Sequence, residues 1–285
     1  TFTKFLSLIL SMSQFISVFD MLKIGVGPSS SHTLGPWRAA QKWIKILKKD
    51  KLFHQIDGIR IDLFGSLSLT GKGHATDYAI LLGLSGTDPE YIPIDDIEQI
   101  ITQIKTQKKL QFNNEKEISF SVENVVFNKD FLPFHANGIM FRGFCKGKEI
   151  STQTFYSIGG GFIVQENDHL EDEIEINKKN FPFPINRAIQ LEEYCEKEDL
   201  SISEIVYKNE LELNSAEHID KEIHRIWSTM LECMYIGCHT EGKLPGGLNV
   251  KRRAFDTHQK LIKDTSYTNP EQWITAIRST EVKFR

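Results

Sequence analysis

The sequence predicts an α/β (α+β) N-terminal domain followed by an all-α domain that we expect to be incomplete. Up to residue 170, alternating strand patterns lie among amphipathic helices, whereas only helical patterns follow residue 185. Between them lies an acidic and then proline-containing stretch with no core pattern, as expected of a linker. The predicted boundaries are 1–13 for an N-terminal extension, 14–170 for the first domain, 171–184 for the linker and 185–285 for the partial helical domain.

The composition is that of an ordinary soluble protein with a core large enough for one large or two ordinary domains. The chain has 285 residues, 40% of them hydrophobic, and a formal net charge of -4, so nothing in it favours nucleic-acid binding. The apolar N-terminal run TFTKFLSLILSM is too short to span a bilayer, and no membrane partner is expected. We expect Met12 to be the natural start, with residues 1–11 upstream of it.

The cysteine pattern predicts reduced thiols in a cytoplasmic protein. Cys145, Cys195, Cys233 and Cys238 have no framework spacing, and a chain of this size does not need disulfides. The last two form a C-x4-C pair, which begins one iron–sulfur ligand pattern, but no third cysteine follows at the required distance. Two buried core thiols are the favoured interpretation of that pair.

The stretch 23–37, KIGVGPSSSHTLGPW, is a glycine- and proline-containing turn rich in hydroxyl groups, and an amphipathic helix over 34–49 follows it. The unpaired amides of a helix N-terminus, together with hydroxyls, are suited to hold a carboxylate or phosphate. The alternative is that Ser31 or Thr33 only caps the helix. The candidate binding residues are Ser29, Ser30, Ser31, His32 and Thr33.

A second informative stretch is SLTGKGHATDYAILLGLSG, in which Gly71 and Gly73 form a tight turn and His74 precedes a helix over 75–84 that Gly86 closes. A neutral histidine at such a position suits a general base. The alternative is that His74 is only a neighbour of the helix cap.

The remaining pattern predicts a strand over 57–64, with Ile59, Ile61 and Leu63 on its buried face, and a helix over 95–108. It predicts one strand over 117–127, then a β-hairpin or meander with KGKE as its turn and three glycines at its end. The later helices are predicted over 185–198, 201–209, 215–239 and 250–264, and the last twenty residues give no completed element.

Two polar residues, His135 and Asn137, stand directly before the first strand of that meander. They are candidates for binding a small polar ligand. An Asx-type turn, in which the side chains only hydrogen-bond nearby backbone, is the alternative.

Four segments, in order, carry a family resemblance: SVFDMLKIGVGPSSSHTLGP, GSLSLTGKGHATDYAILLGL, HANGIMF and LPGGLNVKRRA. Together, over residues 14–264, they closely resemble the iron–sulfur-dependent bacterial L-serine dehydratases (L-serine ammonia-lyases) of the single-chain type. The resemblance implies an α/β beta domain before a helical catalytic alpha domain. It also implies conversion of L-serine to pyruvate and ammonia without pyridoxal phosphate, in serine catabolism and gluconeogenesis.

The resemblance further implies a [4Fe-4S] cluster, held by three cysteines, whose open iron binds the substrate as a Lewis acid. By the same resemblance His74 is the base, and Ser29, Ser30, Ser31, His32 and Thr33 hold the substrate. None of the four cysteines matches the cluster ligands, which we expect beyond Arg285. The chain therefore reads as an inactive fragment of a full-length homodimer, and the helices after residue 185 should expose apolar faces and favour self-association.

Three other functions are alternatives to the lyase. A non-catalytic amino-acid-sensing module would use His135 and Asn137 as allosteric ligand-binding residues. A serine hydrolase built on Ser30 is disfavoured, because the chain has no G-x-S-x-G elbow. A pure interaction subunit is disfavoured because the chain continues well past the domain boundary.

Overall fold

The computed structural model describes residues 17–27, 29–166, 181–244, 249–261 and 267–279. The predicted N-terminal extension, 1–13, and most of the predicted linker, 171–184, lie outside these ranges. The described residues form two compact units, one of residues 23–166 and one of residues 17–22 with those from 181 onward. Strands occur in the first unit and only helices in the described part of the second, which confirms the predicted fold class.

The elements are numbered here in chain order. The helices are α1 (Val18–Met21), α2 (Leu34–Lys49), α3 (Ser66–Leu69), α4 (Gly71–His74), α5 (Thr76–Leu84), α6 (Ile94–Gln107), α7 (Ala188–Glu198), α8 (Ile202–Glu210), α9 (Ala216–His239), α10 (Arg253–Leu261) and α11 (Pro270–Ser279). The strands are β1 (Gly58–Gly65), β2 (Lys109–Phe112), β3 (Lys116–Ser119), β4 (Val125–Phe127), β5 (Asn137–Cys145), β6 (Lys148–Gly159) and β7 (Phe162–Gln165). No helix in the described ranges is both long and apolar enough to cross a bilayer.

The first unit is built on a five-stranded sheet of order β4-β1-β5-β6-β7. Strand β4 runs parallel to β1, and the other neighbours are antiparallel. Ile59, Ile61 and Leu63 of β1 are buried, as the alternation predicted. Strands β2 and β3 form a separate two-stranded sheet.

Helix α2 packs its apolar face on this sheet, chiefly on β6, and on helix α5. Its buried side chains recur every three or four residues, at Leu34, Trp37, Ala40, Ile44 and Leu47. The Trp43 ring stacks on Phe141 of β5 with ring centroids 5.1 Å apart. Full burial of a side chain of this kind contributes about 1.5 to 3 kcal/mol, so this contact fixes the helix, and the loop before it, on the sheet.

The predicted meander is present as β5, β6 and β7. Lys146 and Gly147 join the first two strands, both with positive φ (51° and 76°), as a two-residue hairpin turn requires. The glycines of the second connection also have positive φ, and the pairing of β6 with β7 shifts between Ser157 and Gly159.

The single strand predicted over 117–127 is wrong. Residues 116–119 pair with β2, whereas residues 125–127 pair with β1 in the other sheet. A short 3-10 turn, Val122–Asn124, separates them. The Asn124 side chain accepts a hydrogen bond from the Ser121 amide at 2.8 Å, and this local bond replaces the sheet pairing of an extended chain.

In the second unit, helices lie where four were predicted, although their described ends differ by a few residues. Helix α1 belongs to this unit, because the Ser17 hydroxyl and the Val18 amide donate to the carboxylate of Glu210 at 3.0 and 2.6 Å. Glu210 is only 2% exposed, so these bonds satisfy a buried charge.

The expectation that the last twenty residues form no element is wrong. Helix α11 begins at Pro270, where a missing N–H is harmless, and the Asn269 side chain accepts from the Gln272 amide at 2.9 Å. An Asn-Pro pair is a recognised helix start, and it is the sequence signal for this helix.

Candidate functional site

The serine loop, residues 29–33, brings its histidine against the histidine of helix α4. The His32 and His74 rings have centroids 4.8 Å apart and planes tilted by 39°. Two residues that the sequence singled out in separate stretches therefore form one site in the first unit.

The loop is closed by hydrogen bonds to one carbonyl. The Thr33 hydroxyl donates to the Ser29 carbonyl at 2.7 Å, and the Thr33 amide donates to the same oxygen at 2.9 Å. Thr33 is buried and occupies the cap position of α2, but its side chain makes no capping bond. The capping alternative therefore does not describe Thr33, whose hydroxyl fixes the turn instead.

The amides at the start of α2 are less available to an anion than the sequence suggested. The Gly35 amide donates to the Ser30 carbonyl at 2.8 Å, and Pro36 has no amide hydrogen. The hydroxyl groups are the more accessible donors: Ser30 is exposed, and Ser29 and Ser31 lie oxygen to oxygen at 3.2 Å.

His32 lies between two hydroxyl groups. Its Nδ1 is 3.0 Å from the Ser31 hydroxyl oxygen, and its Nε2 is 3.2 Å from that of Ser66. Its backbone carbonyl accepts from the Thr76 hydroxyl at 2.8 Å. Burial and, second, the nearby His74 lower the pKa of His32 below 6.5, so the ring is mainly neutral at pH 7.

His74 ends helix α4 instead of entering α5, because Ala75 turns the chain through a left-handed conformation (φ 57°). Its Nδ1 lies 2.9 Å from the Thr70 carbonyl oxygen. A carbonyl only accepts, so Nδ1 carries the hydrogen and the neutral ring has its lone pair on Nε2. Within the described residues Nε2 has no hydrogen-bond partner, which leaves this nitrogen able to accept a proton.

Ser66 reaches His32 because strand β1 ends in a glycine. Gly65 has φ +57°, and a Cβ there would lie 2.2 Å from the Ala136 carbonyl oxygen. The Ser66 amide donates to the same oxygen at 2.8 Å, which fixes the serine at the end of the strand. Sequence reasoning missed Ser66, although a polar residue after a strand-ending glycine was the available signal.

His135 and Asn137 hydrogen-bond within their own segment and to the next strand. The Asn137 amide donates to Nδ1 of His135 at 3.1 Å, and the Asn137 side-chain amide donates to the Ser157 carbonyl at 3.0 Å. Burial lowers the pKa of His135. Both hydrogen bonds of Asn137 go to groups of the protein itself, as in the turn-stabilising alternative. Ser157, whose carbonyl accepts the hydrogen bond from the Asn137 side chain, was not singled out by any pattern in the sequence.

The four cysteines do not form a thiolate cluster site. Cys145 lies in the first unit and the other three in the second, and all four are free thiols. The expectation of two buried core thiols is wrong, because Cys233 is exposed and Cys238 is only half-buried. Cys233 and Cys238 are five residues apart on α9, which places them about 140° apart around the helix. Among the described residues no three metal-ligating side chains come together, so these residues do not fit a [4Fe-4S] cluster.

Comparison with known proteins gives consistent matches. The profile of the serine dehydratase beta chain family matches residues 17–168. An L-serine dehydratase of Haemophilus influenzae is 41% identical over 257 residues, which are 89% of this chain and 56% of the relative. L-serine dehydratase 1 of Escherichia coli is 38% identical over 89% of this chain, and the Streptomyces coelicolor L-serine dehydratase is 36% identical over 91%. The chain spans 56% and 58% of these two relatives, little more than half of each.

Proposed function

The chain belongs to the serine dehydratase beta chain family, and on that basis we propose that it supplies the L-serine-binding loop and the proton acceptor of an L-serine ammonia-lyase. The proposed reaction is conversion of L-serine to pyruvate and ammonia, in a homodimeric, cytoplasmic enzyme of serine catabolism. The support is the family match, the names of the relatives and the pairing of His32 with His74.

The chemistry requires two kinds of assistance. The α-proton of serine is weakly acidic and hydroxide is a poor leaving group, so a base and a Lewis acid must act together. We assign the Lewis acid to an iron–sulfur cluster whose ligands are not among the four cysteines of this chain. The chain by itself should therefore bind L-serine without turning it over.

The observation that carries the proposal is the hydrogen bond from His74 Nδ1 to the Thr70 carbonyl, 2.9 Å long. It fixes the ring and leaves Nε2 unprotonated, as proton abstraction from Cα requires. Because His32 beside it is mainly neutral, no adjacent imidazolium opposes the positive charge that His74 gains.

The hydroxyls of the serine loop are assigned to the substrate carboxylate and ammonium. Ser29, Ser30 and Ser31 can each donate to a carboxylate and accept from an ammonium group. Thr33 is buried and bonded within the loop, so we assign it to holding the loop in shape. His32 links the substrate-binding hydroxyls to the proposed base, since it contacts both the Ser31 hydroxyl and the ring of His74.

Calorimetric titration of the chain with L-serine tests the binding half of the proposal. We expect L-serine to bind, and Ser31→Ala to weaken the affinity about tenfold, the effect of losing one hydrogen bond to a charged group. Ser203→Ala, which alters an exposed serine near the start of α8, is the control and should bind like the wild type. Failure of the wild type to bind L-serine contradicts the proposal.

The second candidate, an amino-acid-sensing module, is favoured by the position of His135 beside Asn137. The two functions are distinguished by which histidine the binding of L-serine needs. Loss of binding in His135→Ala with unchanged binding in Ser31→Ala and His74→Ala supports the sensing module, and the reverse pattern supports the lyase.

A further inference from the structure

Ser157 lies beneath the serine loop, on strand β6. It is fully buried, and its hydroxyl donates to the Ser31 carbonyl at 2.7 Å. The approach is close, because a Cβ added to Gly35, just after the loop, would lie 2.0 Å from the Ser157 hydroxyl oxygen. Strand β6 therefore binds the loop backbone through the Ser157 hydroxyl group, and the two segments are in direct van der Waals contact.

The same residue holds the segment with the second pair of candidate residues. The Ser157 carbonyl accepts from the Asn137 side chain at 3.0 Å, and the Asn137 amide donates to His135. The two regions that the sequence treated as separate sites thus meet at Ser157.

A second set of hydrogen bonds also connects these two regions. The Ser66 amide donates to the Ala136 carbonyl at 2.8 Å, and the Ser66 hydroxyl contacts His32, which contacts the Ser31 hydroxyl. Ala136 is bonded covalently to Asn137, which hydrogen-bonds to Ser157. The hydrogen bonds, together with the covalent backbone between neighbouring residues, therefore form a closed ring through the serine loop, the end of β1 and strand β6. Ser157 is therefore connected to His32 through hydrogen bonds on both sides of this ring.

We propose that Ser157 is a positioning residue for the serine loop: its hydroxyl fixes the Ser31 carbonyl, and its own carbonyl ties Asn137 to the same point. Without the hydroxyl, the partly buried Ser31 carbonyl loses this donor, and we expect the loop to shift. The effect on catalysis rests on the proposed function, whereas the effect on the loop does not. It follows that an Asn137 variant can weaken binding at the loop without Asn137 touching a ligand.

The test compares Ser157→Ala with Ser85→Ala in the full chain. Ser85 is the matched control, since it is 3% exposed and its hydroxyl donates to the Leu81 carbonyl at 2.8 Å, outside the ring. In protein labelled with ¹⁵N at its nine histidines, Ser157→Ala should move the ring resonances of His32, and Ser85→Ala should leave them in place. In calorimetry, Ser157→Ala should weaken L-serine binding about tenfold and Ser85→Ala less than twofold.

Unchanged His32 resonances in Ser157→Ala, or equal changes in both variants, overturn the positioning role. If the wild type does not bind L-serine, the proposed function fails, and the His32 resonances alone still decide the role of Ser157. If Ser157→Ala does not fold, Asn137→Ala replaces it, because it removes a bond to Ser157 from a less buried position. That variant should produce a smaller shift of the same resonances, and no shift contradicts the inference.

Discussion

The His32 ring lies 4.8 Å from the His74 ring, centroid to centroid, although helix α2, strand β1 and helix α3 lie between the two residues in the sequence. Burial and, second, the neighbouring His74 lower the pKa of His32, so His32 is mainly neutral at pH 7. The hydrogen bond from His74 Nδ1 to the Thr70 carbonyl leaves the lone pair of the neutral His74 ring on Nε2.

The titration of His32 should report this contact. Its pKa is lowered by burial and by His74, so the midpoint should lie below 6.5 in the wild type and rise in His74→Ala. Histidine-selective NMR over a pH series measures it. His54→Ala alters an exposed histidine of the same unit and should leave the midpoint of His32 in place. A midpoint that stays or falls in His74→Ala refutes the contact.

Acid should destabilise the first unit through the same residue. Because the folded pKa of His32 is lowered, the unfolded chain takes up the proton first as the pH falls through 6.5, and stability falls with it. Well above that pH, His32 is neutral in both the folded and the unfolded chain, so it does not change the stability.

Urea unfolding between pH 7.5 and 5.5 should show a smaller loss of stability in His32→Asn than in the wild type. His135, whose pKa is also lowered, contributes in the same direction, so His135→Asn serves as the comparison. Equal losses in wild type and His32→Asn count against this account.

The elements that could be predicted are those in which apolar residues recur at a regular spacing. Helix α2 and strand β1 follow from apolar spacing alone, whereas the loop and turn around them follow from glycine and proline residues. The division of 117–127 into two strands was not predictable from alternation, because the deciding event is a local bond between Ser121 and Asn124.

The motifs of the candidate site were predictable from the sequence, but the residues that hold those motifs in place were not. The serine loop and His74 come from short polar stretches beside glycines, which are visible in a sequence. Ser66 and Ser157 act through contacts between elements far apart in the chain, and Ser157 is one of several hydroxyl-bearing residues of strand β6, so its sequence context does not distinguish it. Only the folded sheet brings these hydroxyls to the loop.

Gly65 should be more sensitive to substitution than another glycine with positive φ. Gly65→Ala places a Cβ 2.2 Å from the Ala136 carbonyl oxygen, whereas a Cβ at Gly147 (φ +76°) meets nothing within 4 Å. Gly147→Ala should cost about 1 kcal/mol from backbone strain alone, and Gly65→Ala about 2 kcal/mol more, as expected of overpacking. Urea unfolding measures both free energies. Equal costs contradict the role of Gly65 in fixing Ser66.

Turnover should depend on His74 once the rest of the enzyme is supplied. In a chimera that carries this chain in place of the matched portion of the Haemophilus influenzae relative, we expect pyruvate to form from L-serine after anaerobic reconstitution with iron and sulfide. His74→Ala should lower kcat/KM at least about 100-fold, the usual contribution of a general base. His54→Ala should change it less than twofold. An active His74→Ala chimera rules out His74 as the base.

The helix α9 should drive self-association of the chain. Its Ile223, Trp227, Met230 and Met234 recur at intervals of four, three and four residues, which places them along one face, and each is 39 to 48% exposed. The predicted unburied apolar face is thus observed, and exposed stripes of this kind favour association with a second copy. Light scattering during gel filtration should give a mass above 32.7 kDa at micromolar concentration.

The double variant Trp227→Gln, Met230→Gln should shift that mass toward the monomer, because it interrupts the stripe at its centre. Leu69→Gln is the matched control, since Leu69 is an equally apolar, 64% exposed residue of the first unit that lies outside the stripe. If the control lowers the mass as much as the double variant, general surface hydrophobicity and not this helix causes the association. A wild-type chain that is monomeric at 100 µM contradicts the prediction itself.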